Sequence, residues 1–258
     1  MPSTYAHYRF GTQVIRGLSK EAQLSIARFR SLFDAGLHGP DIFFHYNIFF
    51  HTAIGDLGNS MHRLTGQEFF SQVCKRQRMH PSEAGMAYLY GFLAHYALDS
   101  ICHPFINETA AGGEIGHVEM ETEFDRFLLD VDHKLPPCRQ DLGTHLHLTR
   151  SESATVSYLL SAATPGSIRR AVRNMARHEH LLAAVNPRLL SKILDRMGKD
   201  IRDQLMPPEP NSNCAYLDGQ LHQLYKEALE KYPSLVAQME EHIHSRTPLG
   251  EDFSPIFG

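Results

Sequence analysis

The chain has 258 residues and a formal net charge of -4, so its overall charge provides no general attraction for nucleic acid or for an anionic membrane surface. A hydrophobic content of 42% and a charged content of 21% are ordinary for a globular protein with a sizeable core. The opening residues MPSTYAHYRFG show no secretory signal pattern, and no apolar run approaches the roughly 20 residues that cross a bilayer. Histidine is the unusual residue, with 17 copies.

The spacing of the cysteines indicates the redox state of the protein's compartment and the kind of metal ligand that the chain can provide. Cys74, Cys102, Cys138 and Cys214 are widely separated, with no CxxC pair among them. This spacing argues against a disulfide framework and against a zinc site built from thiolates. A reducing, cytoplasmic location fits this pattern best.

The first elements along the chain are a short polar segment and a helix. Residues 2–10 are polar and aromatic, and spacing alone assigns no role to His7 within them. A helical pattern of apolar residues then starts at Thr12 and continues past Ser19, a plausible N-cap. The glycines and proline around Gly39 end this pattern.

Four candidate ligand residues follow before the next clear helix. Asp41 lies in GPDIFFHY, where the simplest interpretation is an N-cap of the next helix. His45, His51 and His62 come next, and the last of them lies in GNSMHRL. Spacing does not choose among the three histidines, so all three stay candidates.

The most informative stretch is GFLAHYALDSICHPFIN, at the end of a helix predicted over 82–99. His95, Asp99 and His103 recur every four residues and therefore share one helix face. The residues between them are apolar, which places this face in the interior, where polar groups without partners are costly. Pro104 predicts that the helix ends at His103.

A second helix, predicted over 117–130 after a glycine-rich loop at 108–116, repeats the spacing with His117 and Glu121. Each residue alone is most simply a hydrogen-bonded core histidine or a solvated carboxylate. Together, five such side chains within 27 residues favour a site for zinc or another first-row divalent ion. Asp99 stands between two histidines and is the natural bridge between two ions.

The second half of the chain reads as helical scaffold. Further helices are predicted over 68–78, 151–163, 166–184, 186–205 and 215–241. The arginines of 166–184 are most simply a solvated face, and the tail after His244 is predicted to be irregular. No strand pattern is present, so we predict an all-α, multi-helix single domain over 1–258, with a metal cluster among its central helices. Its metal-site half covers about 1–132 and its scaffold about 140–245.

Several segments together resemble the zinc-dependent phospholipase C family, whose helical fold is shared with the S1/P1-type nucleases. These segments are YAHYRFG, GPDIFF, GNSMHRL, GFLAHYALDSICHPFIN and GHVEMETEFDRFL, roughly residues 3–130. The resemblance implies a three-metal phosphodiesterase site. By this resemblance Asp41, His62, His95 and Asp99 hold one zinc, His103, His117 and Glu121 hold a second, and His7 with Asp99 holds a third. It selects His62 over His51, because GNSMHRL matches the family segment and FFHTA does not.

The chain departs from the family pattern at two points. Secreted members use an N-terminal tryptophan as a ligand of the third metal, and this chain contains no tryptophan. A third ion would therefore be held differently, and the expected number of zinc ions is two or three. Asp99 and His103 are also closer along the chain than their counterparts in those enzymes.

The resemblance implies hydrolysis of a phosphate ester, most simply a phospholipid head group, by water that the metal site activates. Asp41 would then be a proton acceptor as well as a ligand. An S1/P1-like nuclease would use the same metal chemistry, and nucleic acid is the less favoured partner. Base stacking needs aromatic residues beside the metals, but the candidates could contact either a base or an acyl chain, so they do not discriminate between the two. These residues are Phe43, Phe44, Tyr46 and Phe105. A non-catalytic helical protein that keeps zinc for stability is the third alternative.

Overall fold

A computed structural model of the chain describes residues 4–113, 115–185 and 202–258. Within these ranges the secondary structure is helical, and the only β contact is an isolated bridge between Thr65 and Ile256. The predicted all-α fold class is confirmed. None of the described helices combines the length and the apolar character that a membrane span requires.

The helix bounds agree with most of the predicted elements. The α-helices are α1 (Thr4–Val14), α2 (Lys20–Arg28), α3 (Arg30–Gly36), α4 (Ala53–His62), α5 (Gly66–Met79), α6 (Glu83–Ala111), α7 (His117–Val131), α8 (Arg150–Leu160), α9 (Pro165–Ala184) and α10 (Ala215–Ser245). Short 3-10 helices lie at Ile15–Gly17, Gly39–Tyr46, Pro137–Arg139, Arg202–Gln204 and Glu251–Phe253. The helix predicted over 186–205 falls almost entirely outside the described residues. Ser19 caps α2, as predicted, by accepting a hydrogen bond from the backbone of Ala22.

The start of α1 differs from the prediction. The sequence predicts a polar segment over 2–10 and a helix from Thr12, whereas α1 occupies Thr4–Val14 and places His7 on a helix. The backbone N–H groups of Tyr5 and Ala6 donate to the two carboxylate oxygens of Asp125 on α7, each at 2.8 Å. This carboxylate satisfies the open N-terminal donors of α1. Because it comes from a distant part of the chain, the local sequence gives no sign of it.

Helix α6 forms the centre of the molecule and packs against α3 and α10. Its contact with α3 is unusually close, because a Cβ atom at Gly91 would lie 2.1 Å from the carbonyl oxygen of Phe33. Only glycine allows the two backbones to approach this far. This close approach brings the segment that follows α3, which contains Asp41, against the buried face of α6.

The predicted end of α6 at His103 is wrong, since the helix continues through Pro104 to Ala111. The predicted loop over 108–116 is correspondingly shorter. Proline removes the hydrogen bond to the carbonyl of Ser100, which normally favours a helix end. Here Pro104 is exposed and Ser100 is only half-buried, so water can reach the carbonyl that loses its donor.

The tail after α10 is irregular, as predicted, but it is packed rather than loose. Phe253 and Phe257 are fully buried, and the ring of Phe253 stacks on Tyr96 of α6 with 5.8 Å between ring centroids. The hydroxyl of Tyr96 donates to the carbonyl oxygens of Asp252 and Pro255. These contacts hold the tail across α6, and it then continues towards His103.

A buried carboxyl group joins helix α9 to α1. Its ionisation makes the free energy of unfolding depend on pH. Thr4 Oγ1 donates to Glu179 Oε1 at 2.9 Å, and burial raises the pKa of Glu179 from 4.5 to about 7. Below pH 4.5 both folded and unfolded chains are protonated at Glu179, so its stabilising contribution is complete there. That contribution is lost as the pH rises through about 7.

We therefore expect Glu179→Gln to flatten the pH dependence of stability. Between pH 5 and pH 8 the wild-type free energy of unfolding should fall by about 3 kcal/mol more than that of the variant. Urea unfolding followed by circular dichroism, with excess zinc throughout, measures the difference. Glu230→Gln, at an exposed position of α10, is the matched control, and parallel curves for wild type and Glu179→Gln would contradict the assignment.

Candidate metal centre

Five elements bring the eight predicted ligand residues into one cluster, in which His62 and His117 are half-buried and the other six are buried. These elements are α1, the 3-10 helix Gly39–Tyr46, the end of α4, α6 and α7. The eight residues form three groups, two of which share His95, and in each group one potential ligand atom from each residue lies within 4.8 Å of the others. The groups are His7, His95 and Asp99; Asp41, His62 and His95; and His103, His117 and Glu121.

Asp99 lies at the centre of this cluster, with its two oxygens facing different histidines. Its Oδ1 is 3.1 Å from Nε2 of His7 on α1. Its Oδ2 is 3.0 Å from Nε2 of His95 and 3.9 Å from Nδ1 of His103, both on α6. A carboxylate in this position has one oxygen available to each of two ions.

The other two carboxylates each face imidazole nitrogens as well. Asp41 Oδ1 lies 3.0 Å from Nε2 of His62. Glu121 Oε1 lies 3.3 Å from Nε2 of His103 and 3.2 Å from Nε2 of His117. All three carboxylates are at least nine-tenths buried.

Two of the histidines are oriented by a backbone carbonyl through their second ring nitrogen. Nδ1 of His62 donates to the carbonyl of Gly58 and Nδ1 of His103 donates to the carbonyl of Phe257, each at 2.8 Å. When such a ring is neutral, this hydrogen bond keeps the proton on Nδ1 and leaves Nε2 with a lone pair that points at a carboxylate. Two acceptors facing each other need a proton or a cation between them. Metal-bound histidines in proteins are commonly oriented by this kind of outer hydrogen bond.

His95 gives the sharpest test of whether the residues fit a metal. Its side chain is fully buried, and neither ring nitrogen has a hydrogen-bond partner among the described residues. Nε2 lies 3.0 Å from Asp99 Oδ2, yet the two atoms lack hydrogen-bond geometry. Two tetrahedral zinc ligands at about 2.0–2.1 Å from the ion are separated by roughly 3.3 Å. The nitrogen–oxygen distances here are close to this separation, so the site fits zinc.

The electrostatics of the cluster favour the ligand forms of Asp99 and His95. Burial opposes ionisation of Asp99, but His95, His103 and His7 together hold its pKa well below its usual range. Burial lowers the pKa of His95 despite the nearby Asp99. An ionised carboxylate beside a neutral imidazole is the combination that binds a divalent ion. At His62 and His103 burial lowers the pKa, but the neighbouring carboxylates outweigh it and raise the pKa, to about 9 for His103, so a metal would displace a proton there.

Gly39 shapes the wall of the site. It has a positive φ of 42°, a conformation that glycine adopts without strain. A Cβ atom at this position would lie 2.4 Å from Cδ2 of His95. The sequence GPD therefore places the backbone directly against the His95 ring and positions Asp41 two residues later.

The family model for zinc dependent phospholipase C matches residues 6–169, a range that contains all eight cluster residues and more than half of the chain. The chain belongs to the zinc-dependent phospholipase C family. The resemblance seen in the sequence is thereby confirmed, and the match extends beyond the segments that carried it. No curated protein and no solved structure gives a significant match.

Membership of this family supports zinc as the cofactor and a phospholipid-type substrate. Of the three histidines that spacing left open, His62 lies in the cluster. His51 is exposed and pairs with Asp56 at 2.7 Å. His45 is buried outside the three groups, with its ring centroid 5.2 Å from that of His178.

The four aromatic residues that the sequence offered for contact with a substrate differ in their burial. Phe43 is fully buried in the core and is therefore unavailable to a substrate, contrary to the expectation. Phe44 stacks on His62 with 5.4 Å between ring centroids. Tyr46 and Phe105 are half-buried.

Sequence reasoning missed the groups that orient the histidines. Besides the carbonyls of Gly58 and Phe257, Oδ1 of Asn107 lies 3.0 Å from Nδ1 of His117. A backbone carbonyl has no sequence signature, and Phe257 lies 154 residues after His103 along the chain. Asn107 was the only one detectable by spacing, because it stands one turn after His103 on the same helix.

The contact between Gly39 and His95 leads to a prediction. We expect Gly39→Ala to displace the His95 ring, reduce the zinc bound per chain and lower the free energy of unfolding by about 1–3 kcal/mol. Plasma emission spectroscopy and urea unfolding measure the two effects. Gly17→Ala is the control, because a Cβ atom there meets nothing within 4 Å. Unchanged zinc content in Gly39→Ala would show that the His95 ring position is not required for binding.

Proposed function

We propose that the chain is a zinc-dependent phosphodiester hydrolase that acts on phospholipid head groups. The observation that carries this proposal is the convergence of eight imidazole and carboxylate side chains, six of them buried, with Asp99 at the centre. A purely structural core would be expected to pair the nitrogens of His95, whereas they are left without partners among the described residues.

The proposed ligand sets follow the contacts. Asp41, His62, His95 and Asp99 would hold one zinc, and His103, His117 and Glu121 a second. The proximity of His7 Nε2 to Asp99 Oδ1, at 3.1 Å, supports a third ion held by these two residues. Two or three ions are therefore proposed, with Asp99 as the shared ligand.

The residues have distinct proposed roles. Bound zinc would supply Lewis acidity, which activates water and offsets charge on a phosphoryl group. Asp41 Oδ1 faces His62, which leaves Oδ2 to accept a proton from the attacking water. Asp41, Asp99 and Glu121 carry three negative charges, fewer than two divalent ions provide, so the loaded site would retain positive charge for a phosphodiester.

Hydrolysis of a defined panel by the intact, zinc-loaded protein tests the proposal. The panel contains phospholipid vesicles, a short-chain monomeric phosphatidylcholine, single-stranded DNA and RNA. We expect release of the phosphorylated head group, loss of this activity on chelation and its return with zinc. Faster cleavage of nucleic acid would instead identify a nuclease. Bound zinc with no hydrolysis of any substrate would identify a non-catalytic zinc protein.

The bridging role of Asp99 gives a second prediction. We expect Asp99→Asn to lose more than one zinc equivalent, because the amide removes a charged ligand from two positions. Hydrolysis should fall at least about 100-fold, since several kcal/mol of transition-state stabilisation are lost.

Metal analysis and activity measured on the same preparation check this prediction. Asp130→Asn, an exposed change on α7, is the control, and circular dichroism verifies the fold of both variants. Loss of only one zinc equivalent from Asp99→Asn would show that Asp99 does not bridge.

A further inference from the structure

Three consecutive apolar residues are exposed in the loop at 47–52. The exposed fractions are 42% for Ile48, 43% for Phe49 and 74% for Phe50. Single exposed apolar side chains are common on soluble proteins, but a contiguous run of large ones marks an interaction surface. The two phenylalanines also have the size and rigidity of side chains that enter membrane interfaces.

The loop is held in place and lies beside the metal centre. Asn47 Oδ1 accepts hydrogen bonds from the backbone N–H groups of Phe49 at 3.0 Å and Phe50 at 3.2 Å. The loop connects the 3-10 helix that carries Asp41 to α4, which carries His62. The exposed run is therefore built into the short connection between two proposed ligands.

Helix α9 places positive charge next to this loop. The guanidinium of Arg170 lies 4.6 Å from the ring centroid of Tyr46, and Asn174 Nδ2 donates to the Tyr46 carbonyl at 3.1 Å. Arg169 and Arg173 are exposed on the adjoining face of the same helix, where they line a surface pocket with Thr144 and His147. Among the described residues, no carboxylate lies within ion-pair distance of these three arginines.

We propose that the loop at 47–52 and the arginines of α9 form a docking surface for an anionic lipid bilayer. The apolar side chains of Ile48, Phe49 and Phe50 enter the interfacial region, and the arginines contact lipid phosphates. This inference deepens the proposed function and rests on it for the presence of the substrate in a membrane.

Charge complementarity selects this occupant. The chain as a whole is negative, at -4, so attraction to an anionic bilayer has to come from a local basic region. Apolar side chains flanked by arginine are the combination that binds the interface of anionic membranes. Docking there would place the Asp41–His62 connection against the bilayer surface.

Vesicle co-sedimentation of the intact, zinc-loaded protein tests the apolar part of the surface. We expect Phe49→Ser/Phe50→Ser to reduce partition onto vesicles that contain phosphatidylserine at least about tenfold, because two large apolar side chains no longer enter the interface. Leu24→Ser/Tyr216→Ser is the matched control, since these residues are 71% and 72% exposed on other helices. Equal loss in both double variants would overturn the proposal.

The charged part is tested in the same assay. Arg169→Gln/Arg173→Gln should weaken binding to phosphatidylserine vesicles and leave the weaker binding to pure phosphatidylcholine unchanged. Lys20→Gln/Lys75→Gln, two exposed lysines away from α9, is the control for net charge. Competition by inorganic phosphate alone, without any dependence on the phenylalanines, would identify a site for free phosphate and overturn bilayer docking. Bilayer docking would also be overturned if the wild-type protein self-associated through Phe49 and Phe50 and did not bind vesicles.

A comparison of substrates separates this inference from the proposed function. Phe49→Ser/Phe50→Ser should hydrolyse a monomeric short-chain phosphatidylcholine like the wild type and lose activity on vesicles. Hydrolysis without any dependence of vesicle binding on the loop would refute docking and preserve the function. Loop-dependent vesicle binding without hydrolysis of either substrate would refute the function and preserve docking.

Discussion

The burial of the Asp99 carboxylate is the constraint on which the rest of the structure depends. A carboxylate in the interior needs compensating partners, because desolvation otherwise removes its charge. Asp99 finds them in His7 from α1 and in His95 and His103 from α6. Helix α1 must therefore pack against α6, and the Asp125 carboxylate on α7 fixes where α1 begins.

The same requirement explains why distant parts of the chain meet at the site. Gly91 lets α3 approach α6, and Gly39 then brings the backbone against the His95 ring with Asp41 close behind. The tail crosses α6 through its buried phenylalanines and supplies the Phe257 carbonyl that orients His103. A set of rigid elements, rather than mobile loops, thus positions the polar groups, which is the arrangement that metal chemistry needs.

The sequence predicted the features that are recorded in local spacing and missed those that depend on distant contacts. The four-residue spacing of His95, Asp99 and His103 was sufficient to place them on one buried face, because helix geometry is local. The position of His7 on a helix could not be predicted, since its cap is Asp125. The rule that proline ends helices failed at Pro104, because solvent exposure of the adjacent turn is a tertiary property. The choice of His62 came from family resemblance and not from spacing.

The central proposal is that Asp99 and the seven residues clustered with it hold zinc. Anomalous diffraction at the zinc edge from crystals of the zinc-loaded protein tests this claim most directly. We expect anomalous peaks within about 2.0–2.3 Å of His95 Nε2 and of His103 Nε2, with the two oxygens of Asp99 in contact with different ions. An intact fold without peaks at these positions, and with water molecules bonded to the nitrogens of His95, would contradict the proposal.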